Sequence, residues 1–483
     1  MQNEQIASQI YAKFGFEPTF GQKKVTEKLS SWISTPADGT IFILNGYAGT
    51  GKTTLVAAFV AVLRTIGIKP VLLAPTGRAA KVFSRISGEK AYTIHKKIYR
   101  QKSMTTAEAS FSLDINREKN ACFIVDEASM LANSGGLQSG GGEEMFGSGA
   151  LLDDLVSYVN SGSGCRLMLV GDGAQLPPVG RDDSPALDPR RMGVYGGVEY
   201  ESMDDVVRQE AQSGILFNAT LVRMMIENGI CDIPMFRTEG FRDVGILDGG
   251  NFTETLEECY SRYGRDETIV ITRSNKRAGR FNESIRRHVL GAEEEIESGD
   301  VLMVVKNNYH YTERDPDSPI GFIANGDIAR LRRLRRVEEF YGFRFADAVL
   351  QLPDYDDYEV ECKILLDTIH SDSPSLTREQ STNLFRAVEQ DYLDITARAK
   401  RYREIRENDH FNALQVKFAY GITCHKSQGG QWRAVFIDKM LFGDETISKD
   451  LLRWLYTAIT RARDRLYFVN FDERFFETPA PRD

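Results

Sequence analysis

Between an apolar run, Thr40 to Leu44, and a helical run, Thr53 to Thr65, the chain reads Gly46-Tyr47-Ala48-Gly49-Thr50-Gly51-Lys52-Thr53. This is GxxxxGK[ST] in the strand, turn and helix setting that the motif needs. Its glycines let successive backbone N–H groups curl round phosphate oxygens, and the helix behind adds the positive end of its dipole. Lys52 is placed to reach the outer phosphates, and the Thr53 hydroxyl to ligate Mg²⁺. Gly46, Ala48, Gly49, Thr50, Gly51 and Thr54 complete the expected nucleotide cradle. The loop also constrains the fold, because it works only at the carboxyl end of a strand in a parallel α/β sheet.

The rest of the first half fits such a sheet. Gln2 to Ile33 reads as helical with a break at Gly15 to Pro18, and Val71–Ala74, Phe123–Val125 and Leu167–Val170 are short buried strands. Polar residues follow each strand. Asp126-Glu127 closes one of them, where the first carboxylate can hold Mg²⁺ and the second can act as base for an attacking water. Gly171 to Val179 closes another, and its Gln175 amide is placed to sense the terminal phosphate, with Pro177-Pro178 stiffening the loop. Lys52, Asp126, Glu127 and Gln175 are therefore the catalytic candidates from chemistry alone. The pattern restarts with a strand at Thr268–Thr272, a helix over Asn275–Leu290, and strands at Val435–Ile437 and Leu466–Val469.

These runs predict two α/β units, the first covering 1–95 and 120–245, the second 246–329 and 412–483. A polar insertion at 96–119 reads as a hairpin. A second, at 330–411, holds β-like alternation (Phe340 to Leu352), an acidic patch (Asp354, Asp356, Asp357, Glu359) and a long charged helix (Leu376 to Asn408). The Gly/Ser-rich stretch Ser134 to Gly149 reads as a loop.

Composition narrows the partners. Sixty Lys+Arg against 69 Asp+Glu leave a net charge of −9, so any polyanion must be held by local basic grooves rather than by bulk attraction. No apolar run approaches the ~20 residues of a membrane span, and Met1 to Gln9 lacks an apolar leader. The six cysteines have no CxxC spacing, which argues against a zinc site. A cytoplasmic protein without membrane contact is expected.

Taken in order, seven segments resemble the motifs of superfamily-one helicases of the RecD and Dda group. They are Asn45–Thr54, Ala74–Ala80, Val125–Met130, Gly171–Gly180, Val206–Gln209, Thr423–Gly429 and Tyr456–Arg463. The resemblance implies two RecA-like P-loop NTPase domains, with the insertions as a strand-splitting pin and a β-barrel-like accessory subdomain. It implies an ATP- and Mg²⁺-dependent DNA helicase that moves 5′→3′ on single-stranded DNA and opens duplex forks. It further implies that Gln22 reads adenine, that Arg208 and Arg461 reach the γ-phosphate from across the cleft, and that Gln428 and Gly429 border the nucleotide.

For the DNA strand, the family-matched set is Thr76, Arg78, Thr93, His95, Asn307, Asn308, Tyr309, His425, Lys426 and Ser427, with Phe111 as the apolar residue of the pin. The Arg330 to Arg336 run offers a further contact, though such runs are commonly one solvated face. A monomer working beside single-strand-binding, recombination or replication proteins is expected, with repair and recombination as its setting. An ATP-gated DNA-binding subunit without autonomous unwinding stays open as the alternative, and so does an RNA track.

Overall fold

The protein is described here by a computed structural model covering residues 2–15, 17–37, 39–101, 110–133, 145–146, 150–178, 180–205, 212–315, 317–320, 322–439 and 446–477. Two helices, Gln2–Phe14 and Phe20–Ser34, lead in, and the second starts in a capping box made by Thr19 and Gln22. The strands that follow are β1 (Ile41–Gly46), β2 (Lys69–Ala74), β3 (Ala91–Thr93), β4 (Tyr99–Gln101), β5 (Ser110–Leu113), β6 (Ala121–Val125), β7 (Met145–Phe146), β8 (Arg166–Gly171) and β9 (Val198–Met203). Six of them form one sheet in the order β3-β2-β6-β8-β1-β9, with every pairing parallel.

β1, β6 and β8 are buried along their whole length. That is what a parallel sheet covered on both faces requires, and it explains why these strands read as continuous apolar runs. One face packs on Trp32, Phe59 and Leu63, the other on Leu155 and Val159. Because β1, β8 and β6 are neighbours in register, with Leu44 beside Val170 and Leu169 beside Val125, their polar ends emerge side by side.

The second half continues with β10 (Val244–Leu247), β11 (Thr268–Thr272), β12 (Val301–Val304), β13 (Ile328–Phe340), β14 (Phe343–Leu352), β15 (Tyr358–Leu365), β16 (Leu414–Phe418), β17 (Gly421–Thr423), β18 (Trp432–Asp438) and β19 (Ala462–Val469). A second parallel sheet runs β10-β19-β18-β11-β17, and β12 to β16 close into a barrel. No helix among the described residues is long and apolar enough to cross a membrane.

Several expectations need correction. The barrel draws in β12 and β16, which lie outside the expected 330–411 insertion, because neither end of a curled sheet can be left unpaired inside a closed barrel. The long charged helix is two, Arg378–Gln390 and Arg398–Glu407, whose apolar residues Leu384, Phe385, Tyr402 and Ile405 cap Phe343 and Phe345 of the barrel. The helix expected over Asn275–Leu290 is α-helical only to Ser284 and ends in a π-turn, Ile285–Val289.

The first insertion does make a hairpin, β4 with β5, which β7 joins from the Gly/Ser-rich segment. Phe111 sits in β5, but its side chain lies outside the described residues. The arginines of β13 are largely matched by acids: Arg330 by Asp266, Arg332 by Glu359 and Arg336 by Glu338.

Candidate nucleotide site and nucleic-acid track

The phosphate loop connects β1 to the helix Lys52–Thr65. Gly51 caps that helix at φ +77°, a left-handed conformation that a residue with a Cβ resists. Thr50 is fully buried and its hydroxyl donates to the Tyr47 carbonyl (2.8 Å), which also accepts the Lys52 ammonium (3.2 Å). Gly46, Ala48, Gly49 and Thr53 share the turn, while Thr54 is exposed on the first helical turn.

Gln22 is buried against this loop. Its Nε2 donates to the Thr50 carbonyl at 3.1 Å and its Oε1 accepts the Thr19 N–H at 3.0 Å. Each end of the amide is thus engaged once, so Gln22 braces the phosphate loop in this arrangement.

At the end of β6, Asp126 takes its backbone bond from β2 through the Leu73 carbonyl, and its Oδ1 accepts the Glu127 N–H at 2.9 Å. Glu127 holds φ +53°, a left-handed conformation that turns the chain sharply after β6. Burial, reinforced by the charge of Glu127, pushes the Asp126 carboxyl up to about 7, against the pull of Lys52. At the end of β8, Gln175 is buried and its Oε1 has no hydrogen-bond partner. An amide oxygen sequestered like this is costly unless something arrives to donate to it.

Residues of the second sheet close on this edge. The Tyr456 hydroxyl donates to Asp172 Oδ2 (2.7 Å) and accepts the Ala48 N–H (2.9 Å). Thr457 Oγ1 accepts the Leu176 N–H (2.8 Å), and Gln428 Nε2 donates to the Leu176 carbonyl (2.8 Å). The helix Lys449–Ile459 therefore locks the β8 loop to the phosphate loop across a separation of more than 280 residues. Sequence reading marked the Tyr456–Arg463 motif for Arg461 and missed Tyr456 and Thr457; the signal was their helical spacing from that arginine.

Other expected nucleotide residues sit differently. Arg461 is buried among its own neighbours, donating to the Thr457 and Gly430 carbonyls and to Thr460 Oγ1. Gln428 is spent on Leu176. Gly429, at φ +73°, packs on the helix Gly77–Ser87, where an added Cβ would lie 2.9 Å from that of Ala79. Arg208 lies outside the described residues.

The expected DNA contacts divide into two groups. One is absorbed into the fold. Thr76 and Thr93 are helix N-caps, accepting from the N–H of Ala79 and of Lys96. Ser427 is buried and donates to the Cys424 carbonyl at 2.7 Å. Asn308 is buried and donates to the Asn412 carbonyl at 2.8 Å. Arg78 is stacked over the Trp432 ring at 4.1 Å and faces Asp354 of the barrel at 4.0 Å, so its charge is matched inside a contact between the two halves.

The other group borders open surface. Tyr309 stacks on Phe322 (4.9 Å), and Lys96 approaches the Phe322 ring at 5.9 Å. Asn307 Oδ1 accepts the Asn325 N–H. His425 is exposed, and burial beside Lys417 lowers the Lys426 ammonium to about 8. Burial also lowers His95 to about 4, so it is neutral at physiological pH and offers hydrogen bonds rather than charge.

Comparison with known proteins agrees with this arrangement. An AAA domain model matches residues 23–138, and a UvrD-like helicase C-terminal domain model matches residues 418–469. Those spans hold the phosphate loop at one end and the Tyr456 helix at the other. The chain is 24% identical to the ATP-dependent DNA helicase dda of Enterobacteria phage T4, over 88% of this chain and 93% of that one. The chain is thus similar to superfamily-one helicases of the RecD and Dda type. It is also 29% identical to the ATP-dependent RecD2 DNA helicase of Deinococcus radiodurans, over 34% of this chain and 19% of the relative. A third relative, the uncharacterized protein R530 of Acanthamoeba polyphaga mimivirus, is 23% identical over 93% of this chain and 99% of its own length.

Proposed function

We propose that this protein is a helicase that translocates 5′→3′ on single-stranded DNA and opens the duplex ahead of it, driven by ATP hydrolysis between its two parallel sheets. The observation that carries the reading is the Tyr456 hydroxyl, which joins the phosphate-loop amide of Ala48 to Asp172 from the opposite sheet. A cleft whose catalytic edge is completed by the other half makes hydrolysis depend on closure, and closure is what a motor converts into movement.

In this reading Lys52 and the loop amides hold the outer phosphates. Glu127 accepts the proton of the attacking water. Gln175 orients that water with its unpaired Oε1, and Arg208 and Arg461 stabilise charge as the cleft tightens. Thr53 and Asp126 form an oxygen donor set that suits Mg²⁺, and a carboxyl raised by burial beside a second acid is one that a cation would return to its ionised form. Bound there, the ion would offset charge on the phosphates. Tyr309 with Phe322 supplies a stacking platform for bases, and Asn307, His425, Lys426 and His95 supply polar contacts along one strand. The hairpin of β4 and β5 serves as the pin. The partners are single-stranded DNA and forked duplexes, in the cytoplasm.

The test is ATPase rate with and without single-stranded DNA, alongside unwinding of duplexes carrying a 5′ or a 3′ tail. Strong stimulation with opening of the 5′-tailed duplex alone is the expected result. ATPase activity indifferent to DNA, with neither duplex opened, would replace this reading with an ATP-gated DNA-binding subunit.

A further inference from the structure

Arg223 does not belong to any of the segments that carry the family likeness. It lies on the helix Gly214–Glu227, which packs against the Tyr456 helix, Lys449–Ile459. Its guanidinium lies over the ring of Tyr47, the second residue of the phosphate loop, at 4.5 Å. One turn further on lies Glu227, whose charge adds to burial in raising the Tyr47 hydroxyl above its usual range. The helix thus covers Tyr47 on one face of its ring.

Two features separate this arginine from an ordinary packing residue. Nη1 donates only a long bond, 3.3 Å, to the Asp204 carbonyl, and Nε is buried with no acceptor. A buried guanidinium N–H without a partner is expensive; Arg78 and Arg453 carry one as well, but of the three only Arg223 lies over a ring of the phosphate loop. The location also matters. The Tyr47 carbonyl accepts the Lys52 ammonium, and that lysine serves the outer phosphates in loops of this type. A cation on the Tyr47 ring therefore stands at the outer-phosphate end of the cradle, and it arrives from the side of the second sheet.

We propose that Arg223 is a further phosphate-binding arginine of this site, held edge-on by the Tyr47 platform and donating to the terminal phosphate of a nucleoside triphosphate. The planar guanidinium, already fixed by the ring and by Asp204, loses little freedom on taking up a phosphate oxygen. Tyr47 is the positioning residue that sets its plane. Binding of a triphosphate would satisfy the orphaned donor and tighten the helix pair onto the phosphate loop in the same step.

This inference rests on the nucleotide-site reading, and equilibrium binding separates the two. The free protein is titrated with ADP and with the non-hydrolysable adenylyl imidodiphosphate, both with Mg²⁺, by calorimetry. Arg223→Ala should weaken the triphosphate analogue about tenfold or more and ADP by less than about twofold, since one charge-assisted bond carries roughly that factor. Arg223→Lys should recover part of the loss, and Tyr47→Leu should lose the same discrimination by removing the platform. If Arg223→Ala fails to fold, Arg223→Gln carries the test with similar volume and no charge. Equal weakening of both nucleotides, or no weakening of either, overturns the role of Arg223. Failure of the unaltered protein to bind either nucleotide overturns the site itself, as would retention of both by Lys52→Ala.

Discussion

The nucleotide cleft and the nucleic-acid track were assigned with equal detail from the same kind of residues, yet the fold treats them differently. At the cleft, Lys52, Asp126, Glu127 and Gln175 come together at one edge of one sheet. Along the track, about half of the expected contacts are absorbed into the fold, with Ser427 and Asn308 bonded to backbone carbonyls and Arg78 stacked on Trp432. The difference follows from how each surface is made. A phosphate cradle is built by one loop and the neighbouring strand ends, so local sequence specifies it. A strand-binding track crosses several elements, and a hydroxyl or amide suited to DNA suits a helix cap or a carbonyl equally well.

The largest expected effect tests the cleft. Lys52→Ala should reduce DNA-stimulated ATPase by at least about a hundredfold, the loss expected when the main charge on the outer phosphates is removed, with an unchanged melting profile. Retained hydrolysis would show that the loop is not the catalytic cradle and would break the comparison at its stronger end.

Tyr456→Phe comes next. It deletes the hydroxyl that joins Asp172 to Ala48 while keeping the ring, and the loss of a charge-assisted bond predicts about a tenfold fall in the turnover of DNA-stimulated ATPase. Steady-state assays at saturating ATP and DNA give the value. A change confined to the ATP KM would mean that the hydroxyl holds the ground state only.

On the track, Tyr309→Ala should weaken single-stranded DNA binding by about fivefold or more, the low end of what one stacked base contributes. Asn308→Ala should instead lower stability by about 1–3 kcal/mol, the cost of stranding a buried carbonyl, with little change in DNA affinity. Fluorescence anisotropy and urea unfolding on both variants sharpen the contrast, and the reverse pattern would put Asn308 on the track and take Tyr309 off it.

The smallest effect concerns the contact beside Arg78. Asp327 is fully buried, accepts the Ala324 N–H and the Tyr355 hydroxyl, and is pushed up to about 7 by that burial. An acid that binds its proton more tightly when folded gives stability that is complete below its unfolded pKa of about 4 and falls as pH rises towards 7. Melting curves should therefore show the protein losing a few degrees across that window relative to Asp327→Asn, which stays neutral throughout. Parallel curves for the two would exclude a proton on Asp327.

How far the sequence reached is clearest at particular residues. β11 was legible to the residue and β1, β2, β6, β8, β18 and β19 to within a few, because buried parallel strands are short apolar runs bounded by turns, whereas β3, β9, β10 and β17 were missed. The barrel was legible only in part. Its inner strands alternate visibly, but β12 and β16 look like strands of the neighbouring sheet, and nothing local says which sheet claims them. The helix expected over Leu376–Asn408 failed for a similar reason: the charged segment hides its break at residues 391–397, and the apolar positions that cap Phe345 are too sparse to show a second stripe. Tyr456 and Arg223 were missed because their partners lie hundreds of residues away.

The sequence by itself determined the chemistry of the phosphate loop, the carboxylates that follow β6 and the order of the motifs, since each depends on residues adjacent in the chain. Only the tertiary structure decided which polar groups remain for ligands. That outcome depends on burial, and burial is set by elements distant in sequence: Arg78 meets Trp432, Gln428 meets Leu176, and Tyr47 lies under Arg223. A buried donor must find an acceptor, and the packing of the two halves allotted most of those acceptors, with the Gln175 oxygen and the Arg223 Nε among the buried atoms left unpaired.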